Sequence, residues 1–412
     1  MNLSINLSDD FLENKKKIYI FLFLISLVSR ILISYYYGDR NLENEWAILV
    51  GNLYNNNVLS MIRFGELFVP NLWMPPVYAY FIYLHAILFG MSDNLAIYVI
   101  FSQILISSLT TIIFYKILCF FCSYKVSFGG AIVFSNFPLI VYSASQISSI
   151  TIYLFLLLVF ILLILSLVNE KSKRYYWHYV IIGTVAGILI LTRRDFILIY
   201  FFSILYIFIF FKVSLKKIFL ILIVTSITIS PYLVRNYISF DRFIIHSGFG
   251  YNLWKAYNSN AKVEGYYEQS DELKYKISLV KKDINYRINE DKIYLEEAKQ
   301  FIKNNPKETT KLFFKRLFSI FFIDFDSSQK NYYNFFHIAP NILIAVLSFI
   351  GFFTYDKKNS RLNYLILIMV ILLMVYSLFA LLPRYKIYVI PFQILLSLKT
   401  TEYFLQKLGK KY

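Results

Sequence analysis

Four separated stretches of an otherwise apolar chain carry the groups that can do chemistry. "GDRNLENEWAILVGNL" sets Asp39, Glu43 and Glu45 just beyond the first apolar run. "LTRRDF" holds Arg193, Arg194 and Asp195 in a very short link between two such runs, "SPYLVRNY" brings Arg235 to the end of another, and "LLPRYKIYVIPF" adds Arg384 and Lys386. Arginine can hold phosphate oxygens in bidentate fashion. Charges at membrane depth are costly and tend to line polar cavities, so cations gathered at span ends fit a buried lipid phosphate. Each feature also has a plainer reading. An arginine at a span end is commonly a snorkelling anchor, which suits Arg30, inside the first run, equally well, and loop acids are by default solvated. For Arg193, Arg194, Arg235 and Arg384 together the anchor reading is the weaker one, because short loops on an outer face normally lack such residues.

The elements that must position these groups are membrane helices. Hydrophobic residues make up 58% of the 412 and aromatics 20%, the profile of an all-α polytopic membrane protein and not of a soluble domain. The net charge of +17 is carried largely in short links between apolar runs, so it reads as topology with membrane lipids as partner, and nucleic acid is excluded. Cys119 and Cys122 lie one helical turn apart in an apolar run and read as packing residues, and the four histidines are scattered without metal-ligand spacing. The first run follows Lys15, Lys16 and Lys17 and continues for about 20 residues without a small-residue cleavage site, so it is expected to stay as an anchor.

Runs long enough to span fall near 18–37, 95–119, 126–143, 150–168, 177–192, 196–212, 218–234, 338–354, 363–382 and 387–404, with a shorter one at 76–90. If the N-terminus is inside and 76–90 does not cross, the basic links "SYK" (123–125), "NEKSKR" (169–174), "FKVSLKK" (211–217) and "YDKKNSR" (355–361) and the tail "QKLGKKY" all fall on the cytoplasmic side. The expected topology is therefore about ten spans plus one non-crossing juxtamembrane helix. It divides the chain into a membrane region, 1–234, with a first external loop at 38–94; a large external loop, 235–337; and C-terminal membrane helices, 338–412. Within the large loop the pattern predicts a helix over 290–304 stopped at "NNP", a new helix opened by Pro306, and an interfacial amphipathic helix over 311–322.

Taken in order, "ENEWAILVGNL", "WMPPVYAYFIYLHAILFG", "LTRRDF", "SPYLVRNYISFDRFIIHSGFGYNLWKAYN", "EEAKQFIKNNPKETTKLFFKRL" and "LPRYKIYVIPF" resemble the bacterial membrane glycosyltransferases of GT-C fold. The group in question is related to the protein O-mannosyltransferases and the lipid A aminoarabinose transferase. The resemblance implies transfer of a sugar from a polyprenyl-phosphate carrier to a lipid, glycan or protein acceptor at the external face of the cell (inner) membrane. It also implies an acidic residue of the first loop as acid/base. Glu45, before Trp46, best matches the family's acidic and aromatic pairing, and Glu43 comes second, although relatives typically carry aspartate here. On a helix the two would face about 200° apart, so only one is expected to point into a cavity. Arg193, Arg194, Arg235, Arg384 and Lys386 would hold the carrier phosphate, and Asn252 and Trp254 would line the sugar or acceptor pocket. Where relatives often place a further acid after the third span, this chain has Gln146, Ser148, Ser149 and Thr151, which argues against a tightly held divalent metal.

Two rival functions share parts of this pattern. An O-antigen ligase or polymerase also combines many spans with a large external loop and external arginines, but the first-loop acid followed by "PPVY" argues against it. A lipid-linked sugar flippase or transporter calls for charged groups deep in several spans and usually inverted repeats, and neither is clear in this sequence.

Overall fold

The computed structural model describes residues 14–167, 176–325, 327–328 and 334–409. The link at 169–174 and the end of the basic tail, which the charge pattern puts inside, lie outside the described residues. The first half of the chain forms α1 (Lys15–Tyr37), α2 (Asn44–Asn56), β1 (Ser60–Phe64), β2 (Leu67–Pro70), α3 (Pro76–Phe89), α4 (Leu95–Leu118), α5 (Tyr124–Ser135), α6 (Pro138–Ala144), α7 (Ile150–Ser166), α8 (Tyr176–Thr192), α9 (Phe196–Ile209) and α10 (Leu215–Phe240). A polar stretch follows with α11 (Phe249–Ala256), α12 (Asp271–Ser278), α13 (Tyr286–Asn304) and α14 (Pro306–Phe321). The chain closes with α15 (Phe335–Thr354), α16 (Ser360–Ser377), a 3₁₀ turn (Pro383–Tyr388) and α17 (Ile390–Lys407). The expected helices at 290–304 and from Pro306 are present. Among the described residues the departure from an all-α fold is a two-stranded antiparallel hairpin, β1 with β2.

Five described helices, α1, α4, α10, α15 and α16, are long and apolar enough to cross a membrane, and α5 with α6 makes a sixth if that bent pair is one span. The chain is a multi-pass membrane protein. Among the described residues the runs at 150–168, 177–192 and 196–212 fold as shorter helices of 17, 17 and 14 residues. α17 is apolar at its start but carries Lys399, Glu402 and Lys407 toward its end.

The run at 126–143 is broken by proline. Pro138 has no N–H and opens α6, so α5 and α6 meet at 55°. The break deprives the Ser135 carbonyl of its helical donor, and Arg30 Nη1 donates to it at 2.9 Å. The guanidinium also donates to Ser107 Oγ at 2.7 Å and to Ser26 O at 3.0 Å. Arg30 is fully buried. It points into the bundle, not to the boundary as an anchor would, and satisfies backbone that lipid cannot.

α8 and α10 pack closely because "GTVAG" presents Gly183 and Gly187 one turn apart. A Cβ on Gly183 would lie 2.8 Å from the Ile221 carbonyl oxygen, and one on Gly187 would lie 2.6 Å from Thr228 Cβ. Above the bundle, the segment from Gly38 to the start of α4 and the stretch from Asp241 through α14 pack together as a cap. Phe64 meets Tyr286 at 5.1 Å between ring centres and Trp73 meets Tyr251 at 4.9 Å. Gly183→Ile and Gly187→Ile should each cost about 1–3 kcal/mol through overpacking, read as a lower melting temperature of the detergent-solubilised protein. Gly51→Ala, whose added Cβ meets nothing within 4 Å, should leave it unchanged or raise it.

Candidate active site

Between bundle and cap lies a cavity of about 940 Å³. Segments far apart in sequence build its walls: the chain after α1, the link between α6 and α7, the turn between α8 and α9, the cap helix α11, and the approach to the 3₁₀ turn. It is lined by the acids Asp39, Glu43, Glu45 and Asp195 and by the cations Arg40, Arg193, Arg194, Lys255 and Arg384.

Asp39 is clasped at both ends of its residue. Its N–H donates to Ser145 O at 3.0 Å, and its Oδ2 accepts from the Ile147 N–H at 2.7 Å. Oδ1 accepts from no described residue. Burial, reinforced by the nearby Glu43, raises this carboxyl above the ordinary aspartate range in spite of the stabilising Ile147 N–H. The clasping link is itself held: Gln146 Nε2 donates to Tyr37 O at 2.8 Å, Gln103 Nε2 to Gln146 O at 2.9 Å, and Tyr78 Oη to Gln103 Oε1 at 2.6 Å. Glu43 and Glu45 also line the cavity but are exposed. Glu43 is not helical: it precedes α2 in extended backbone, φ −121° and ψ 172°. The expected 200° separation on a helix therefore does not apply, and both carboxylates reach the cavity. Trp46 packs edge-on against Tyr78 at 4.7 Å, which fixes the first turn of α2 to α3.

The basic groups divide by pairing. Arg193 is nearly enclosed: Nε donates to Asp195 Oδ1 at 3.1 Å and Nη1 to Tyr388 Oη at 3.2 Å, and the guanidinium lies within 6 Å of the rings of Tyr153, Tyr376, Tyr385 and Tyr388. Tyr376 Oη donates to Asp195 Oδ2 at 2.5 Å. Side-chain exposure is 17% for Arg193 and 13% for Asp195, so this charge is largely spent on its own counter-ion. Arg194 donates to His246 Nδ1 at 3.0 Å and, more weakly, to Gly248 O at 3.4 Å. A guanidinium can only donate, so Nδ1 accepts and the ring is neutral. Burial first, and then the Arg194 charge, hold His246 well below the usual histidine range. Arg384 is exposed beside Tyr385, and Lys255 reaches the cavity from α11.

α11 is positioned by its N-terminus. Gly248 adopts φ +98° before the helix, and Asp291 of α13 accepts from the N–H groups of Gly250 and Tyr251 at 3.1 and 2.9 Å. A Cβ on Gly250 would lie 2.0 Å from the Asp291 carbonyl oxygen. Tyr251, Asn252 and Lys255 thereby share the cavity face, with Asn252 Nδ2 donating to Gly248 O at 2.7 Å.

Of the sequence candidates, Glu43, Glu45, Arg193, Arg194, Arg384 and Asn252 come together at the cavity, and Arg235, Lys386 and Trp254 do not. Arg235 fastens the first loop to α10, donating to Asn71 O at 2.9 Å, Leu59 O at 3.2 Å and Asn236 Oδ1 at 2.7 Å. Lys386 is buried beneath the 3₁₀ turn, where its ammonium donates to the Phe321 and Phe322 carbonyls at the end of α14, and burial lowers its pKa to about 7. Trp254 sits in the cap core with Leu273, Tyr294 and Ala298. Asp39, named with the first-loop acids, also lines the cavity, and Lys255, His246 and Tyr385 join the site as well. Lys255 carries a sequence signal, falling four residues after Tyr251 on the same helical face.

Residues 74–234 match the family described as dolichyl-phosphate-mannose-protein mannosyltransferase, a stretch that includes the Arg193–Asp195 turn but neither the first-loop acids nor Arg384. The oligosaccharyltransferase AglB of Archaeoglobus fulgidus, solved with an inhibitory peptide and a dolichol-phosphate, is similar over 95% of this chain, with a TM-score of 0.54 at 13% identity. The chain has the GT-C glycosyltransferase fold. An Archaeoglobus fulgidus oligosaccharyltransferase tethered to an acceptor peptide containing the NVT sequon gives 0.55 at 12% identity, again over 95% of this chain. In both cases this GT-C chain spans half the length of the oligosaccharyltransferase, 50%. ArnT of Cupriavidus metallidurans, solved with undecaprenyl phosphate, is similar over 95% of this chain and 78% of its own at 10% identity, with a TM-score of 0.44. A search of curated proteins returns no match.

Within this GT-C fold the Arg193–Asp195 pair braces the cavity floor. Asp195→Ala would strand a nearly buried guanidinium, for which a loss of about 3–5 kcal/mol is expected. The protein should melt lower in detergent, and the additional change Arg193→Met should recover part of the loss. Additive losses in the double variant would contradict the pairing.

Proposed function

We propose that the chain is a glycosyltransferase that moves a sugar from a polyprenyl-phosphate carrier to a hydroxyl of a cell-envelope acceptor. The reaction takes place at the external face of the cell (inner) membrane. In this reading the bent α5–α6 pair, α7, α8, α9 and α17 join the five long helices to make ten crossings, and α3 lies at the interface without crossing. The observation that carries the proposal is the charge of the cavity lining: a clasped carboxylate, Asp39, shares one cavity with Arg194, Lys255 and Arg384. The match to a dolichyl-phosphate-mannose-dependent family and the dolichol-phosphate held by the structurally similar AglB support it.

The chemistry follows from that arrangement. A carboxylate removes the proton of the acceptor hydroxyl as its oxygen bonds to the anomeric carbon. The bond from that carbon to the phosphate oxygen breaks, and the lipid phosphate leaves with added negative charge. Arg194, Lys255 and Arg384 stabilise this charge better than water does because they are already in place. A single displacement inverts the anomeric centre. We place the base at Asp39, whose Ile147 clasp orients the carboxylate and whose burial raises its basicity, with Glu45 and then Glu43 at the rim as the other carboxylates. Arg193, Asp195, Arg235 and Lys386 hold the walls in position.

Asp39→Asn keeps an oxygen for the Ile147 N–H but cannot take a proton, so sugar transfer should fall about 100- to 10,000-fold with carrier binding kept. Because the folded-state pKa of Asp39 is raised, the wild-type rate should decline as pH drops through a value above the usual aspartate range, and Asp39→Asn should flatten that limb. A near-normal rate in Asp39→Asn with collapse in Glu45→Gln would move the role to Glu45. Survival of all three single carboxylate variants, with Glu43→Gln, would sink base catalysis from this loop.

Arg194→Ala and Arg384→Ala should each weaken binding of undecaprenyl phosphate by about ten- to a hundredfold, the effect of one charge-assisted contact. Arg235→Ala should instead lower the melting temperature, because it loosens the first loop. Unchanged carrier binding in both cavity variants would remove the phosphate role from these residues.

A further inference from the structure

α11 is a partition one helix thick. Tyr251, Asn252 and Lys255 face the catalytic cavity, while Trp254, with Tyr257 one turn on, faces the other way onto a separate cleft of about 430 Å³. That volume is in the range of small-molecule sites. One wall of the cleft is a single face of α13, with Glu297, Gln300, Phe301 and Asn304 at helical spacing. The facing wall is the chain after α11, with Asn260, Tyr266 and Glu268.

This cleft differs in chemistry from the cavity. No lysine or arginine lines it, so it offers nothing to a phosphate. Glu268 accepts from Tyr266 Oη at 2.6 Å and Glu297 from Lys276 Nζ at 2.8 Å through one oxygen each, and the second oxygen of each meets no donor among the described residues. The side-chain amides of Asn260, Gln300 and Asn304 likewise make no hydrogen bond to a described residue. The cleft thus presents paired acceptors and unused amides above aromatic rings.

We propose that this cleft binds a neutral oligosaccharide, the part of a glycan acceptor remote from the reacting hydroxyl. A sugar hydroxyl both donates and accepts, which matches an amide offering N–H and C=O and a carboxylate offering a free lone pair. The less polar C–H face of a pyranose suits the rings of Tyr266 and Phe301. Peptide recognition by strand addition or by an arginine cluster needs a sheet edge or clustered arginines, and neither lines the cleft. The inference deepens the sugar-transfer reading and depends on it for the word acceptor, but binding can be measured separately.

The test is saturation-transfer NMR on the full chain in detergent with three named probes: maltotriose, chitotriose and mannotriose. At least one should receive saturation from wild-type protein, and the signal should drop at least tenfold in the double variant Gln300→Ala, Asn304→Ala. Both side chains are exposed, so the variant should melt like wild type and still bind undecaprenyl phosphate. Arg194→Ala should do the reverse, keeping the trisaccharide signal and losing carrier. No signal from any of the three probes, or a signal unchanged in the double variant, overturns the cleft assignment. Loss of carrier binding by wild-type protein would instead overturn sugar transfer.

Discussion

The bend at Pro138 is the constraint on which the site depends. A straight helix through 124–144 would carry the chain past the cavity. The break turns α6 so that the link after it returns to the end of α1, where Ser145 O and the Ile147 N–H grip Asp39. A break inside a membrane bundle frees backbone groups that lipid cannot satisfy, and Arg30 takes up the Ser135 carbonyl. A buried cation in the first span and a carboxylate beyond its end are in this way parts of one device.

The same economy governs the other buried cations. Arg316 of α14 donates to the carbonyls of Ala256, Lys262 and Val263, which ties the end of α11 to the cap. Arg235 and Lys386 serve carbonyls at the first loop and at α14, and Arg193 is matched by Asp195. Each is bound within the protein and is ill placed to hold a substrate. Arg194, Lys255 and Arg384 line the cavity and pair with no carboxylate among the described residues.

The sequence made some of this legible and hid the rest for physical reasons. Apolar runs announced a membrane protein, and "NNP" marked the junction of α13 and α14, because periodicity and caps are local. The tight link "LTRRDF" flagged the cavity floor for the same reason. Arg235, Lys386 and Trp254 looked like Arg194, Arg384 and Asn252 in sequence, since all sit at apolar boundaries. What separates them is the set of carbonyls and rings they meet, from 65 residues away for Lys386 with Phe321 to 176 for Arg235 with Leu59. Asp39 was visible but undistinguished, because its clasp comes from Ile147, 108 positions along the chain. Apolar composition does not fix helix length: α9 has the composition of a crossing helix in 14 residues.

The central claim is that the cavity recognises a lipid phosphate. The direct measurement is equilibrium binding of undecaprenyl phosphate and of undecaprenol, which share the same tail, to the full chain in nanodiscs across a range of ionic strength. The account predicts that the phosphate ester binds at least tenfold more tightly than the alcohol, and that added salt narrows the difference. Equal affinity for the two lipids at low salt would contradict it.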